Sequence, residues 1–135
     1  MEAIVLAGGL GTRLRPVVPD LPKPLALVNG RPFLWYLLQL LHEQGIGRFV
    51  LLTGYLGEQI RSYFADGSNW GWKIRYSHGP VEWDTGRRLW EASSLLDPSF
   101  ILLYSDNFAQ FPLDKILAHH EAIRPALTIM LSRKT

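Results

Sequence analysis

A chain of 135 residues with 47% hydrophobic and 19% charged residues has the length of one domain and enough apolar side chain for one core, which excludes disorder as its main state. It has no cysteine, so disulfide scaffolds, thiolate metal sites and cysteine nucleophiles are excluded. The net charge is +2 and the 14 basic residues are scattered, with only Arg87-Arg88 and Arg133-Lys134 adjacent, a balance that suits small anionic ligands better than nucleic acid.

The N-terminus, Met-Glu-Ala-Ile-Val-Leu-Ala-Gly-Gly, fits neither a signal peptide nor a transit peptide. Every apolar stretch is interrupted well before the ~18 residues that a membrane helix needs. The expectation is a cytoplasmic protein with neither membrane nor nucleic acid as partner. Glu2 to Ala7 reads as a strand buried on both faces, since Ile4, Val5 and Leu6 run together before Gly8-Gly9. Residues 8–24 hold four prolines and three glycines and predict a long loop, with at most one helical turn near Thr12 to Leu14. Loops of that length inside a compact domain are usually functional or disordered.

A helix is predicted over 32–44, from Pro32 through Leu34, Leu37, Leu38 and Leu41 to the stop at Gly45. A second buried strand follows at Arg48 to Thr53, then a helix at Leu56 to Phe64 that closes in Asp66-Gly67-Ser68-Asn69. Trp72 to Ser77 alternates as a third strand. Further on come a short helix at Arg87 to Ser93, a strand at Phe100 to Tyr104, a helix at Leu113 to Ile123 and a last strand at Leu127 to Leu131. This alternation predicts a Rossmann-like three-layer α/β/α fold with a mostly parallel central sheet, one unit over 1–135. Ligands of such sheets sit beyond the C-terminal strand ends, which points to Ala7-Gly8-Gly9 and Ser105-Asp106.

Gly8-Gly9-Leu10-Gly11-Thr12-Arg13 places three glycines and a hydroxyl directly after a buried strand. Glycines let backbone N–H groups approach a polyphosphate, and a plain strand-to-loop turn is the competing reading. Leu14 stands where a dinucleotide fingerprint has its third glycine, and no Gly-Lys-Ser/Thr follows as in a Walker A loop. Arg13, Arg15 and Lys23 add cations held among prolines, Lys23 being fixed between Pro22 and Pro24. Asp106, at the end of a buried strand, is either a turn cap or a ligand for a hard cation such as Mg²⁺. His42, His78, His119 and His120 lack metal-ligand spacing, and Trp35, Tyr36, Phe49, Trp70, Trp72 and Trp90 are expected in the core.

The run Ile4-Val5-Leu6-Ala7-Gly8-Gly9-Leu10-Gly11-Thr12-Arg13-Leu14-Arg15-Pro16, followed by Pro22-Lys23-Pro24-Leu25, resembles the signature of the sugar-1-phosphate nucleotidyltransferases. Within them the likeness is greatest to guanylyltransferases acting on mannose or heptose 1-phosphate. The resemblance implies transfer of a nucleotidyl group from GTP, dTTP or a similar nucleoside triphosphate to a sugar 1-phosphate, releasing pyrophosphate, with Mg²⁺ as cofactor. Leu6, Ala7, Gly8, Gly9, Gly11 and Thr12 would then hold the nucleotide, joined by Thr85 and Gly86. Arg13 and Lys23 would be the catalytic cations and Asp106 the metal ligand. Cations are needed because two like unit charges 4 Å apart repel by about 4 kcal/mol at an effective dielectric near 20.

Where the family reads Pro-Leu-Gly-Thr-Ala/Gly-Gly-Ala, this chain has Val81-Glu82-Trp83-Asp84-Thr85-Gly86-Arg87-Arg88. Asp84 replaces a glycine, and Arg87 and Arg88 replace small residues that either crowd the pocket or bind phosphate themselves. Ser105 replaces a glycine before Asp106. Family members are longer and carry a second lysine, a sugar-contacting Glu and a second metal-binding Asp in their later half. The chain therefore resembles the nucleotide-binding half, with a catalytically inactive or truncated module of the same fold as the alternative and a homo-oligomer left open. A dinucleotide-dependent oxidoreductase is the remaining rival.

Overall fold

The computed structural model describes residues 1–8, 21–105 and 111–131. Strand β1 (Glu2–Ala7) is buried along its whole length. After a 3-10 turn at Lys23–Leu25, a small hairpin of β2 (Leu27–Val28) and β3 (Arg31–Pro32) turns through Asn29 and Gly30 at φ 49° and 81°. Asn-Gly is the pair that such a two-residue turn favours, and this hairpin is absent from the sequence-based expectation. Helix α1 (Phe33–Glu43) follows, burying Leu34, Leu37, Leu38 and Leu41 as their spacing predicts.

The remaining elements are β4 (Arg48–Thr53), α2 (Gly57–Phe64), β5 (Lys73–His78), α3 (Thr85–Glu91), β6 (Phe100–Tyr104) and α4 (Leu113–Ile123). The main sheet has the order β5-β4-β1-β6, with all three pairings parallel. Period-two alternation splits its side chains between two cores. Ala3, Val5, Ala7, Phe49 and Leu51 pack with the leucines of α1, Ile60 and Phe64 of α2 and Leu113 of α4. On the other face Ile4, Leu6, Val50 and Leu52 meet Leu89 of α3 and the Ala92–Leu96 turn. This is the expected three-layer α/β/α architecture.

Two expectations are corrected. Leu127 to Leu131 is no strand: it has no regular structure, and Leu127, Ile129 and Leu131 are exposed. An apolar run supplies strand propensity but not a partner, and among the described residues nothing pairs with this segment. Trp90, expected in the core, is 75% exposed, because α3 turns Arg88 and Leu89 toward the sheet. Helix α3 also begins two residues before the predicted Arg87, for a reason found at its cap. The turn expected near Thr12 lies outside the described residues.

Candidate functional site

Parallel pairing delivers every C-terminal strand end to one edge of the sheet. There the ladder runs one residue further on both sides: the Ser105 N–H donates to Leu6 O at 3.1 Å and the Gly79 N–H to Thr53 O at 3.0 Å. Gly8, Gly54 and Gly79 thus stand side by side, each the first residue after its strand. Thr53 Oγ1 and His78 Nδ1 share a hydrogen bond of 3.0 Å beside them.

Helix α3 reaches the same edge from the second face. Asp84, which departs from the family's glycine, is its N-cap: Oδ1 accepts from the Arg87 N–H at 2.8 Å, so the helix starts at Thr85. Arg87 turns outward, pairing with Glu91 at 2.8 Å and lying 4.9 Å over the Trp83 ring. Arg88 turns inward and is 6% exposed. Its Nη1 donates to Thr53 O at 2.8 Å and its Nη2 to Pro80 O at 2.8 Å, with longer approaches of 3.5 Å to Gly79 O and Gly8 O. Burial pushes the guanidinium pKa down from its ordinary value.

The glycines are explained by this side chain. A Cβ at Gly8 would stand 2.6 Å from Arg88 Cζ, and one at Gly54 would stand 2.7 Å from Arg88 Nη2 and 2.8 Å from Gly8 O. The guanidinium therefore takes the space that a methyl group at either glycine would occupy. A Cβ at Gly79 would collide with the Trp83 ring. Gly86 differs, since a Cβ there would meet only Asp84 Oδ1 at 3.7 Å, so packing does not require a glycine.

Of the residues singled out by sequence, Leu6, Ala7 and Gly8 form the β1 end of this edge, and Thr85 and Gly86 the first turn of α3. Lys23 sits half-buried on its 3-10 turn between buried Pro22 and Pro24, with Leu25 anchored in the core. Gly9, Gly11, Thr12, Arg13 and Asp106 lie outside the described residues. The magnesium expectation thus rests on a residue that is not described. Among the described residues no three His, Asp or Glu side chains gather as a metal site. The open question over Arg87 and Arg88 is resolved in part: neither is paired with the other, and Arg88 spends its donors on backbone carbonyls. Its role was not foreseen, although a glycine directly after the first two predicted strands, Gly8 and Gly54, and another two residues after the third were a readable sign that something packs against their ends.

An open depression of about 660 Å³ lies at the opposite end of the sheet, lined by Arg48, Asp66, Lys73 and Arg75 among others. Its arginines are engaged by buried Glu2, at 3.7 and 2.9 Å, and parallel α/β sheets bind ligands at the other end. It is not the candidate site.

Comparison with known proteins matches residues 2–135 to the family model described as nucleotidyl transferase. A probable glucose-1-phosphate cytidylyltransferase of Bacillus subtilis is 33% identical over 150 residues, covering 96% of this chain and 59% of that protein. The D-glycero-alpha-D-manno-heptose 1-phosphate guanylyltransferase of Aneurinibacillus thermoaerophilus is 37% identical, covering 97% and 57%. Among solved structures, HddC from Yersinia pseudotuberculosis complexed with GMP-PN superposes with a TM-score of 0.78 at 29% identity, over 88% of this chain and 53% of that one. The chain spans a little over half the length of these relatives.

Proposed function

We propose, for a chain that belongs to the nucleotidyl transferase family, that it is the nucleotide-binding portion of a sugar-1-phosphate nucleotidyltransferase. In the proposed reaction an oxygen of the sugar 1-phosphate attacks the α-phosphorus of a nucleoside triphosphate. One P–O bond forms, the bond from the α-phosphorus to the bridging oxygen breaks, and pyrophosphate leaves. The observation that carries the reading is the glycine-lined edge at the ends of β1, β4 and β5, built on the strand that opens the two-part signature.

In this reading Gly8, Gly9, Gly11 and Thr12 hold the triphosphate by backbone N–H groups, Leu6 and Ala7 line the nucleotide site at the end of β1, and Thr85 and Gly86 border the base and sugar. Arg13 and Lys23 balance the charge that develops on the transferring and leaving oxygens, which is electrostatic rather than covalent catalysis. Asp106 is the proposed ligand for Mg²⁺, which when bound would neutralise phosphate oxygens. GTP is the first candidate nucleotide, supported by the heptose 1-phosphate guanylyltransferase and GMP-PN relatives, with CTP the second on the cytidylyltransferase.

Calorimetric titration with GTP, CTP and NAD in magnesium buffer tests the reading, followed by pyrophosphate release with mannose, heptose or glucose 1-phosphate. Binding of one triphosphate but not NAD is expected; no triphosphate binding overturns it. Lys23→Ala and Arg13→Ala should each weaken triphosphate binding about tenfold or more, whereas Lys73→Ala, at the far end of the sheet, should not. A binding module without turnover is the second reading, favoured by Asp84, Arg87 and Arg88 standing where the family motif has glycine and small residues. Binding with no pyrophosphate above background would establish it.

A further inference from the structure

Arg88 takes no part in the transfer outlined above, yet among the described residues no other cation is buried. Taking a guanidinium out of water is costly unless strong partners replace the lost hydration. Here the partners are the carbonyls of Thr53, Gly79, Pro80 and Gly8. Among the described residues no carboxylate forms an ion pair with it. The hydrogen bonds are made, but the positive charge is left standing at the strand ends.

Its position is specific. The guanidinium bridges the end of β4 and the turn after β5 by its two short bonds and fills the space beside Gly8, the first residue after β1. A Cβ on Gly8 would meet Arg88 Cζ at 2.6 Å, and one on Gly54 would meet Arg88 Nη2 at 2.7 Å, so the guanidinium fills the space beside both glycines. A fixed charge in a water-poor place acts more strongly on a nearby anion than one in solvent.

We propose that Arg88 is a positioning residue of the nucleotide site, holding Gly8 against the ends of β4 and β5 and placing a fixed positive charge beside the triphosphate. This rests on the nucleotide reading of the same edge. Its substitution by a neutral side chain weakens binding in proportion to ligand charge, which a purely structural staple would not do.

The test uses the full chain and whichever of GTP and CTP the native protein binds more tightly, together with the matching monophosphate. Arg88→Met should weaken the triphosphate about tenfold or more and the monophosphate distinctly less. Arg88→Lys, which keeps the charge with fewer donors, should recover part of the triphosphate affinity. Equal losses for both nucleotides with no recovery in Arg88→Lys, or no loss in Arg88→Met, would overturn the proposal. Should Arg88→Met fail to fold, Arg88→Lys and Arg88→Gln carry the same comparison. A ligand-free thermal unfolding cycle examines the clamp separately: Gly8→Ala should lower Tm by several degrees in the native background and by about a degree or less beside Arg88→Met. Equal shifts in the two backgrounds would refute the clamp. Native protein that binds neither triphosphate defeats the nucleotide reading and the proposal with it, while the unfolding cycle shows whether the clamp itself was wrong.

Discussion

Glu2 is an acid buried at the start of the central strand β1, and its surroundings show what keeps it there. Its carboxylate accepts from Arg75 Nη2 at 2.9 Å and from the Asp97 N–H at 2.9 Å, with Arg48 at 3.7 Å. Glu2→Ala takes from the partly buried Asp97 amide its acceptor and leaves, among the described residues, Arg75 only Leu95 O and Arg48 only Asp97, and should cost ~2 kcal/mol by urea unfolding. Tyr76 makes a different prediction. Its hydroxyl donates to Ala65 O at 2.6 Å, and burial pushes its pKa from 10.0 to about 12. The fold prefers the neutral phenol, so as pH rises the unfolded chain loses its proton first. The contribution of Tyr76 to stability should be constant below pH 10 and be lost between pH 10 and 12. In Tyr76→Phe the midpoint of urea unfolding should lose that part of its pH dependence.

At the scale of elements, the apolar stripe of α1 was legible because four leucines at helical spacing admit one buried face, and all four are 0% exposed. Leu38→Ala should therefore cost ~3 kcal/mol, read from the shift in Tm or urea midpoint. The start of α3 was less legible, because Asp84 before Thr85-Gly86 read only as a departure from the glycine of the family motif. The bond from Arg87 N–H to Asp84 Oδ1 decides for the cap. Asp84→Ala should lower stability by ~1 kcal/mol, while Asp84→Asn should be close to neutral. Helix α4 shows a cap that sequence spacing could not reveal: the Leu113 N–H donates to Gln44 Oε1 at 2.9 Å, from a residue 69 positions away. The segment Leu127 to Leu131 shows the reverse, since its β-forming residues have no neighbour to pair with among the described residues.

For the whole molecule, both flanks of the sheet matter. Among the described residues β6 is an edge strand carrying Phe100, Leu102 and Tyr104 at 38%, 40% and 50% exposure, an apolar face of the kind that pairs with other chains. The isolated 135-residue chain should associate with rising concentration, and Leu102→Lys should reduce that association in sedimentation velocity without lowering Tm by more than about a degree. By itself the sequence determined the alternation of strands and helices, the three layers and the family, because these follow from local periodicity and from a signature contiguous along the chain. Only the tertiary structure decided what stands at the ligand-facing edge. Arg88 lies 80 residues from Gly8 and 35 from Thr53, and no local pattern relates them. Sheet closure brings them together, and the requirement that a buried guanidinium find acceptors fixes which carbonyls it takes.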